Sequence, residues 1–256
     1  MIKKIIFLSI SIVFILERGF AQKTAVNFTG WYGYEGYHPF TEGKPWGLML
    51  EGYIKRAEVV VQPMQWFFRA GLNYQLKNGN RITGGYAYQL TLPYDEVSEP
   101  YNWNEHRIWE QYIIRKAFKK DKRGMFIHRF RMEQRWLQRK EAPLYEKTEE
   151  WKFENTFRYQ FKVNIPINDK WSASFNDEIH LRTTELTTEK LMDQNRIYAG
   201  MVYYIDKKRE WRIEPGYMFQ SSWNALDTKE GRKRINHTFR ITITSDAPFK
   251  IIKANK

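Results

Sequence analysis

The chain has 256 residues, enough for one domain or for one β-barrel of roughly ten strands. Its 42 Lys and Arg outweigh 29 Asp and Glu, and it contains no cysteine, which excludes disulfides, thiolate metal sites and cysteine nucleophiles. A mean hydropathy of −0.67 excludes a helical membrane bundle, but not a barrel, whose lipid-facing and lumen-facing residues alternate.

The N-terminus reads as an export address. Lys3 and Lys4 precede an apolar run from Ile5 to Leu16, and Gly19-Phe20-Ala21 supplies small residues for cleavage before Gln22. That is the pattern of a secretory signal peptide over 1–21, and the run is too short to span a bilayer as a helix. Residues 22–256 then form a single domain.

The rest of the chain has period two almost throughout, the periodicity of strands with two unlike faces. Val26–Glu35, Trp46–Arg56 and Arg107–Phe118 are the weaker strands. Trp66–Leu76, Ile82–Leu92, Trp171–Leu181 and Ile197–Ile205 are clear. The clearest is Trp151–Val163, where apolar residues at odd positions alternate with Lys152, Glu154, Arg158 and Lys162. In Phe126–Leu137, Phe126, Phe130, Met132 and Trp136 oppose Arg129, Arg131, Glu133 and Arg135. Trp211–Ser221 and Ile235–Ile243 behave alike. Runs of this length suit a tilted crossing of a bilayer better than a soluble sheet.

Short connections near Asn78-Gly79-Asn80, 121–124, 168–170 and 206–209 alternate with longer polar ones near 57–64, 93–104, 139–150, 182–193 and 222–233. This is how outer-membrane barrels are built, with short periplasmic turns and longer extracellular loops. The raw count is eleven strands, and the even numbers usual for single-chain bacterial barrels make ten or twelve the expectation.

Several segments resemble one family. They are Gly71-Leu72-Asn73-Tyr74, Gly84-Gly85-Tyr86-Ala87-Tyr88, Glu105-His106-Arg107-Ile108-Trp109-Glu110-Gln111, Arg129-Phe130-Arg131-Met132-Glu133-Gln134-Arg135 and Asp193-Gln194-Asn195-Arg196-Ile197-Tyr198-Ala199-Gly200. In this order, across about 28–245, they are similar to the domain-of-unknown-function 2490 family. The resemblance implies an outer-membrane β-barrel and implies no activity.

If the alternation holds, Arg69, Arg81, Arg129, Arg131, Arg135, Lys152, Arg158, Arg196, Arg212 and Arg240 point into the lumen, with Glu51, Glu133, Glu154, Glu178 and Glu214. Such a lining either favours anions or pairs internally to fill a narrow barrel. Arg129, Arg131, Glu133 and Arg135 share one face at ~7 Å spacing and form either an anion ladder or a paired one. Arg158, Arg196, Arg212 and Arg240 complete the anion-binding candidates.

A chemical site is weakly marked. Glu178 and His180 share a strand face with Ser172 and Ser174, the raw material of a lipid-modifying enzyme only if they face lipid. No metal motif is present, and no cofactor is expected. Ten Trp, sixteen Tyr and seventeen Phe exceed what a soluble core needs and suit interfacial girdles outside the barrel. Lys119, Lys120, Lys122, Arg123, Lys207, Lys208 and Arg209 cluster at short turns, where solvent or anionic headgroups would meet them. Nucleic acid is a poor match for an exported chain whose charges share one strand face.

The expectation is a closed antiparallel outer-membrane barrel of a Gram-negative cell. Its partners are outer-membrane lipid and small anionic solutes. A plugged structural barrel and a lipid-modifying enzyme are the alternatives, and a soluble lipocalin-like barrel is the competitor in fold.

Overall fold

The computed structural model describes residues 24–96, 98–118, 124–184, 191–223 and 233–249. Among them are eleven strands and no helix: β1 (Thr24–Pro39), β2 (Trp46–Ala57), β3 (Gln62–Gln75), β4 (Arg81–Thr91), β5 (Trp103–Ala117), β6 (Met125–Lys140), β7 (Thr148–Pro166), β8 (Trp171–Arg182), β9 (Met192–Tyr204), β10 (Trp211–Ser222) and β11 (Lys233–Ser245). The strands close into one barrel in chain order.

All ten sequential pairings are antiparallel, and the closing one, β1 with β11, is parallel, running in register from Thr24↔Lys233 to Gly36↔Ser245. The geometry requires this. Strands that reverse direction at every hairpin leave the first and eleventh pointing the same way, so only a parallel ladder can seal the seam. A mixed barrel of eleven strands thus stands in place of the all-antiparallel ten or twelve expected, and the weakly patterned β1 is a full wall strand.

Connections after odd-numbered strands gather at one end, and those after even-numbered strands at the other. The second end carries the longer links, such as 92–102 and 141–147. The link expected to be long near 57–64 is a tight turn instead: β3 starts at Gln62, and Glu58 and Val59 take φ of 51° and 64°. Beyond β11, Phe249 donates its backbone N–H to Pro39 O at 3.0 Å and packs on the His38 ring, so the end of the described chain lies across the short-turn rim.

The two faces of the wall differ as period two demands. On β3, Trp66, Phe68 and Leu72 point out and are about half exposed, while Phe67 and Arg69 point in and are buried. Trp66 to Tyr74 covers about 26 Å of strand, which with tilt is close to the ~25 Å apolar band of a membrane barrel. Trp46, Trp66, Trp136, Trp151, Trp171 and Trp211 share the parity of this outer face. Four tryptophans do not follow the girdle expectation. Trp31 and Trp109 belong to a buried inner cluster with Tyr53, Phe67 and Tyr198, and Trp103 and Trp223 line the lumen.

Glycines make that inner cluster possible. A Cβ on Gly71 would lie 2.7 Å from the Trp109 ring, and one on Gly85 would lie 2.1 Å from the Ala70 carbonyl. Gly71 pairs with Gly85, which pairs with Trp109, so the indole packs against a strip of wall without side chains. Gly200 and Gly216 provide the same bed for Tyr198.

Candidate functional site

One ion-pair network crosses the middle of the lumen. Glu133 Oε1 accepts from Arg69 Nη2 at 2.5 Å and Arg158 Nη1 at 2.8 Å, and Oε2 accepts from Arg107 Nη1 at 3.0 Å. Arg131 Nη1 lies 3.7 Å from the same carboxylate. These residues come from β3, β5, β6 and β7. Glu178 on β8 accepts from Arg129 at 2.9 Å and from Arg158 at 2.8 Å, and Glu105 accepts from Arg107 at 2.6 Å and Arg135 at 2.5 Å. The guanidinium fork lets each arginine bridge two carboxylates, and the carboxylates have enough lone pairs to accept them. Arg69 and Arg131 also stack on Trp109, at 5.0 and 5.4 Å from the ring. Four of the family-like segments therefore meet in one layer: glycines bed the indole, the indole carries two arginines, and Glu133 ties them.

Separate pairs hold the two ends. At the short-turn end, Asp246 accepts from Arg81 at 2.9 Å and Arg212 at 2.8 Å. Burial alone would raise this carboxyl, but Arg81, Arg212 and Arg115 outweigh it and hold Asp246 well below the usual carboxylate range. Nearby, Glu214 accepts from Lys162 at 2.8 Å, Ser174 at 3.1 Å and Arg240 at 3.3 Å. At the long-loop end, Arg234 donates twice to Asp95, at 2.6 and 2.8 Å. Burial pushes Asp95 up, and these hydrogen bonds more than reverse it, so its pKa is lowered. Arg139–Glu99 at 2.7 Å and Arg182–Asp193 at 2.9 Å complete this rim.

A cavity of about 590 Å³ runs between the ends, lined by Glu99, Trp223 and Arg234 at one and by Arg212 and Asp246 at the other. Its lining carries sixteen Lys and Arg against nine Asp and Glu. Most of the cations are neutralised in pairs. Among the described residues, Lys55, Arg115 and Arg209 line the cavity with no carboxylate within 4.0 Å.

Of the residues expected in the lumen, Arg129, Glu133, Arg135, Arg158, Arg196, Arg212 and Arg240 line this cavity, and Arg131 is packed behind it with 1% of its side chain exposed. The β6 ladder is split among acceptors: Arg129 to Glu178, Arg131 to Gln111, Arg135 to Glu105. It is a paired ladder. The Ser/His pair that a lipid-modifying enzyme would need at the lipid face is not formed among the described residues. His180 lies 3.5 Å from Glu178, Ser174 bonds Glu214, and Ser172 lies 3.5 Å from the Tyr204 hydroxyl, so all three face inward with no Ser–His contact among them. The other four histidines each bond a tyrosine hydroxyl: His38 with Tyr34, His106 with Tyr86, His128 with Tyr159 and His237 with Tyr217.

Lys119, Lys120, Lys122 and Arg123 lie outside the described residues, as does the segment 1–21 read as a signal peptide. Lys207 and Lys208 are exposed, but Arg209 turns inward onto Tyr204, 3.7 Å from its ring. Pattern reading did not mark Lys55, Glu105, Arg107 or Asp246. On β5 both faces carry rings, so the parity of Glu105 and Arg107 was weak. Asp246 follows the last strand, where period two has ended.

The architecture is that of a closed, mixed β-barrel with an ion-paired, net-cationic lumen. The model of the family described as "Protein of unknown function (DUF2490)" matches residues 28–230, and the chain belongs to that family. No curated protein and no solved structure matches it.

Proposed function

We propose that the chain is an outer-membrane barrel whose narrow lumen takes up small anions. The observation that carries this reading is the imbalance of the lining, sixteen cationic side chains against nine anionic ones. A low-dielectric wall focuses that excess onto the axis, as rings of Arg and Lys do in anion pores. The signal-peptide pattern of the N-terminus, the outward apolar band and the aromatic rims support the membrane setting. Conductance of the refolded protein in a planar bilayer under a salt gradient tests it. Stable steps with a reversal potential on the anion side are expected, and silence from correctly folded protein overturns passage.

One observation favours a second reading, a plugged barrel. The Arg69, Glu133 and Arg158 side chains, tied together at mid-lumen, are only 1%, 2% and 7% exposed, so side chains crowd the lumen there. Under this reading wild type is silent, and Arg158→Ala opens a conductance.

A further inference from the structure

Of the three lining cations with no carboxylate within 4.0 Å among the described residues, one is buried. Lys55 on β2 is 6% exposed, and its Nζ donates to a single acceptor, Gln65 Oε1 at 2.5 Å. The β2–β3 register slips between Lys55 and Arg56, opposite Pro63, which has no N–H to keep the ladder regular. Through that slip both Met64 and Gln65 line the cavity. Gln65 is fixed in turn, because its Nε2 donates to Thr91 Oγ1 at 2.8 Å and leaves Oε1 for the lysine. The ammonium also lies 3.9 Å from the Trp31 ring. Of three donors, only one has an oxygen acceptor among the described residues.

Arg196 of β9 reaches the same indole, 5.0 Å from the ring. It makes no hydrogen bond among the described residues, its Nε is buried without a partner, and its closest carboxylate oxygen, on Glu178, is 3.8 Å away. A buried ammonium without a partner is costly, and evolution usually supplies a carboxylate, as it does for Lys162 beside Glu214. Here the wall supplies an indole and an amide, which hold a cation in place without neutralising it.

We propose that Lys55, Arg196 and Trp31 form a binding subsite for a small oxyanion, a phosphate or carboxylate group. The ligand's oxygens take up the free ammonium and guanidinium donors, and Trp31 keeps both cations from collapsing onto the wall. This deepens the anion reading of the lumen and rests on it for the route of entry. Neither Arg129 nor Arg135 offers such a place, because each already donates to a carboxylate.

The test is calorimetric titration of inorganic phosphate into the full-length mature barrel in detergent, beside Lys55→Met and Arg196→Gln. Saturable binding is expected in wild type, weakened about thirtyfold in either variant, since losing one partner of a buried charge pair costs at least that. Acetate competing for the same heat assigns a carboxylate ligand as well, and phosphate alone assigns the dianion. If Lys55→Met does not refold, Arg196→Gln carries the comparison, and Arg196→Lys should retain most of the affinity. No phosphate binding by wild type, or equal affinity in Arg196→Gln, overturns the subsite. Anion-selective conductance without phosphate binding removes the subsite and leaves the pore. Binding lost in the variants of a barrel that passes no current supports the subsite and removes the passage.

Discussion

Glu133 and Glu110 sit one rung apart on the β5–β6 ladder and meet opposite worlds. Glu133 pairs across from Trp109 and faces inward; Glu110 pairs across from Met132 and faces out. Inside, the carboxylate binds three guanidiniums directly and has a fourth within 4.0 Å. Outside, it accepts one hydrogen bond, from Gln134 Nε2 at 3.1 Å. The same side chain is thus a keystone on one face and an ornament on the other. The two faces differ in burial as well as in partners: Glu133 is 1% exposed and Glu110 lies at the surface, while Asp177, also facing outward, accepts from the Asn195 amide at 2.7 Å. Charge in this barrel is structural where it is multiply bonded.

The contrast breaks most visibly at Glu133. Glu133→Leu strands Arg69, Arg107, Arg131 and Arg158 around an apolar group. The cost of removing one partner from a buried pair is about 3 to 5 kcal/mol, and here one deletion uncouples several pairs. The expected outcome is loss of the heat-resistant, fast-migrating folded form on unboiled gels, with Glu133→Gln intermediate because the amide oxygen still accepts. Wild-type migration and urea midpoint in Glu133→Leu would show the network to be incidental. Gly85→Val comes next. Its side chain meets the Ala70 carbonyl and the Cα of Gly71, an overpacking worth about 1 to 3 kcal/mol in the urea midpoint.

How much of this was legible follows from what period two encodes. Alternation assigns a face, so every charge placed inward on β6, β7 and β11 is inward, and the strand count of eleven follows from the same signal. It does not encode what a residue meets across the lumen. Arg158 bonds Glu133 and Glu178 from strands on either side, and Arg69 reaches Glu133 across 64 residues of chain. Nor does it say which rings turn inward. Trp109 looks like a girdle residue until the Gly71–Gly85 pair shows a bed for it, and Trp31 looks like one until the structure buries it beside Lys55. Lys55 was passed over for a different reason: its site arises from a register slip opposite a proline, a local departure that breaks the pattern used to find sites. The parallel seam was legible only as an awkward odd number.

A smaller effect belongs to the long-loop rim. Asp95 ties the 92–102 connection to Arg234 at the start of β11, with Asn27 and Ser98 as further donors or partners. Its folded pKa lies below the ordinary 3.8, so the tie is fully present above that value and is lost as pH falls through the folded pKa. Protease cleavage within 92–102 should therefore rise on acidification below about pH 4, before the barrel itself opens. Asp95→Asn should show the same susceptibility at neutral pH. Cleavage independent of pH would detach this loop from the pair.

The smallest effect sharpens the opening contrast. Glu110→Leu removes an exposed carboxylate that serves one amide, and Gln134 remains free to meet solvent or detergent headgroups. Its expected change in urea midpoint corresponds to about 0.5 kcal/mol or less, in either direction, because exposed substitutions away from networks rarely exceed that. In a lipid bilayer the sign becomes definite: an outward carboxylate is unfavourable beside hydrocarbon, so leucine should stabilise the barrel there relative to micelles. The pair of measurements therefore reports on the surroundings of the outer wall as well as on the residue. Destabilisation by Glu110→Leu comparable to that of Glu133→Leu would mean that the outer carboxylates also hold the wall together, and the division between its two faces would fall.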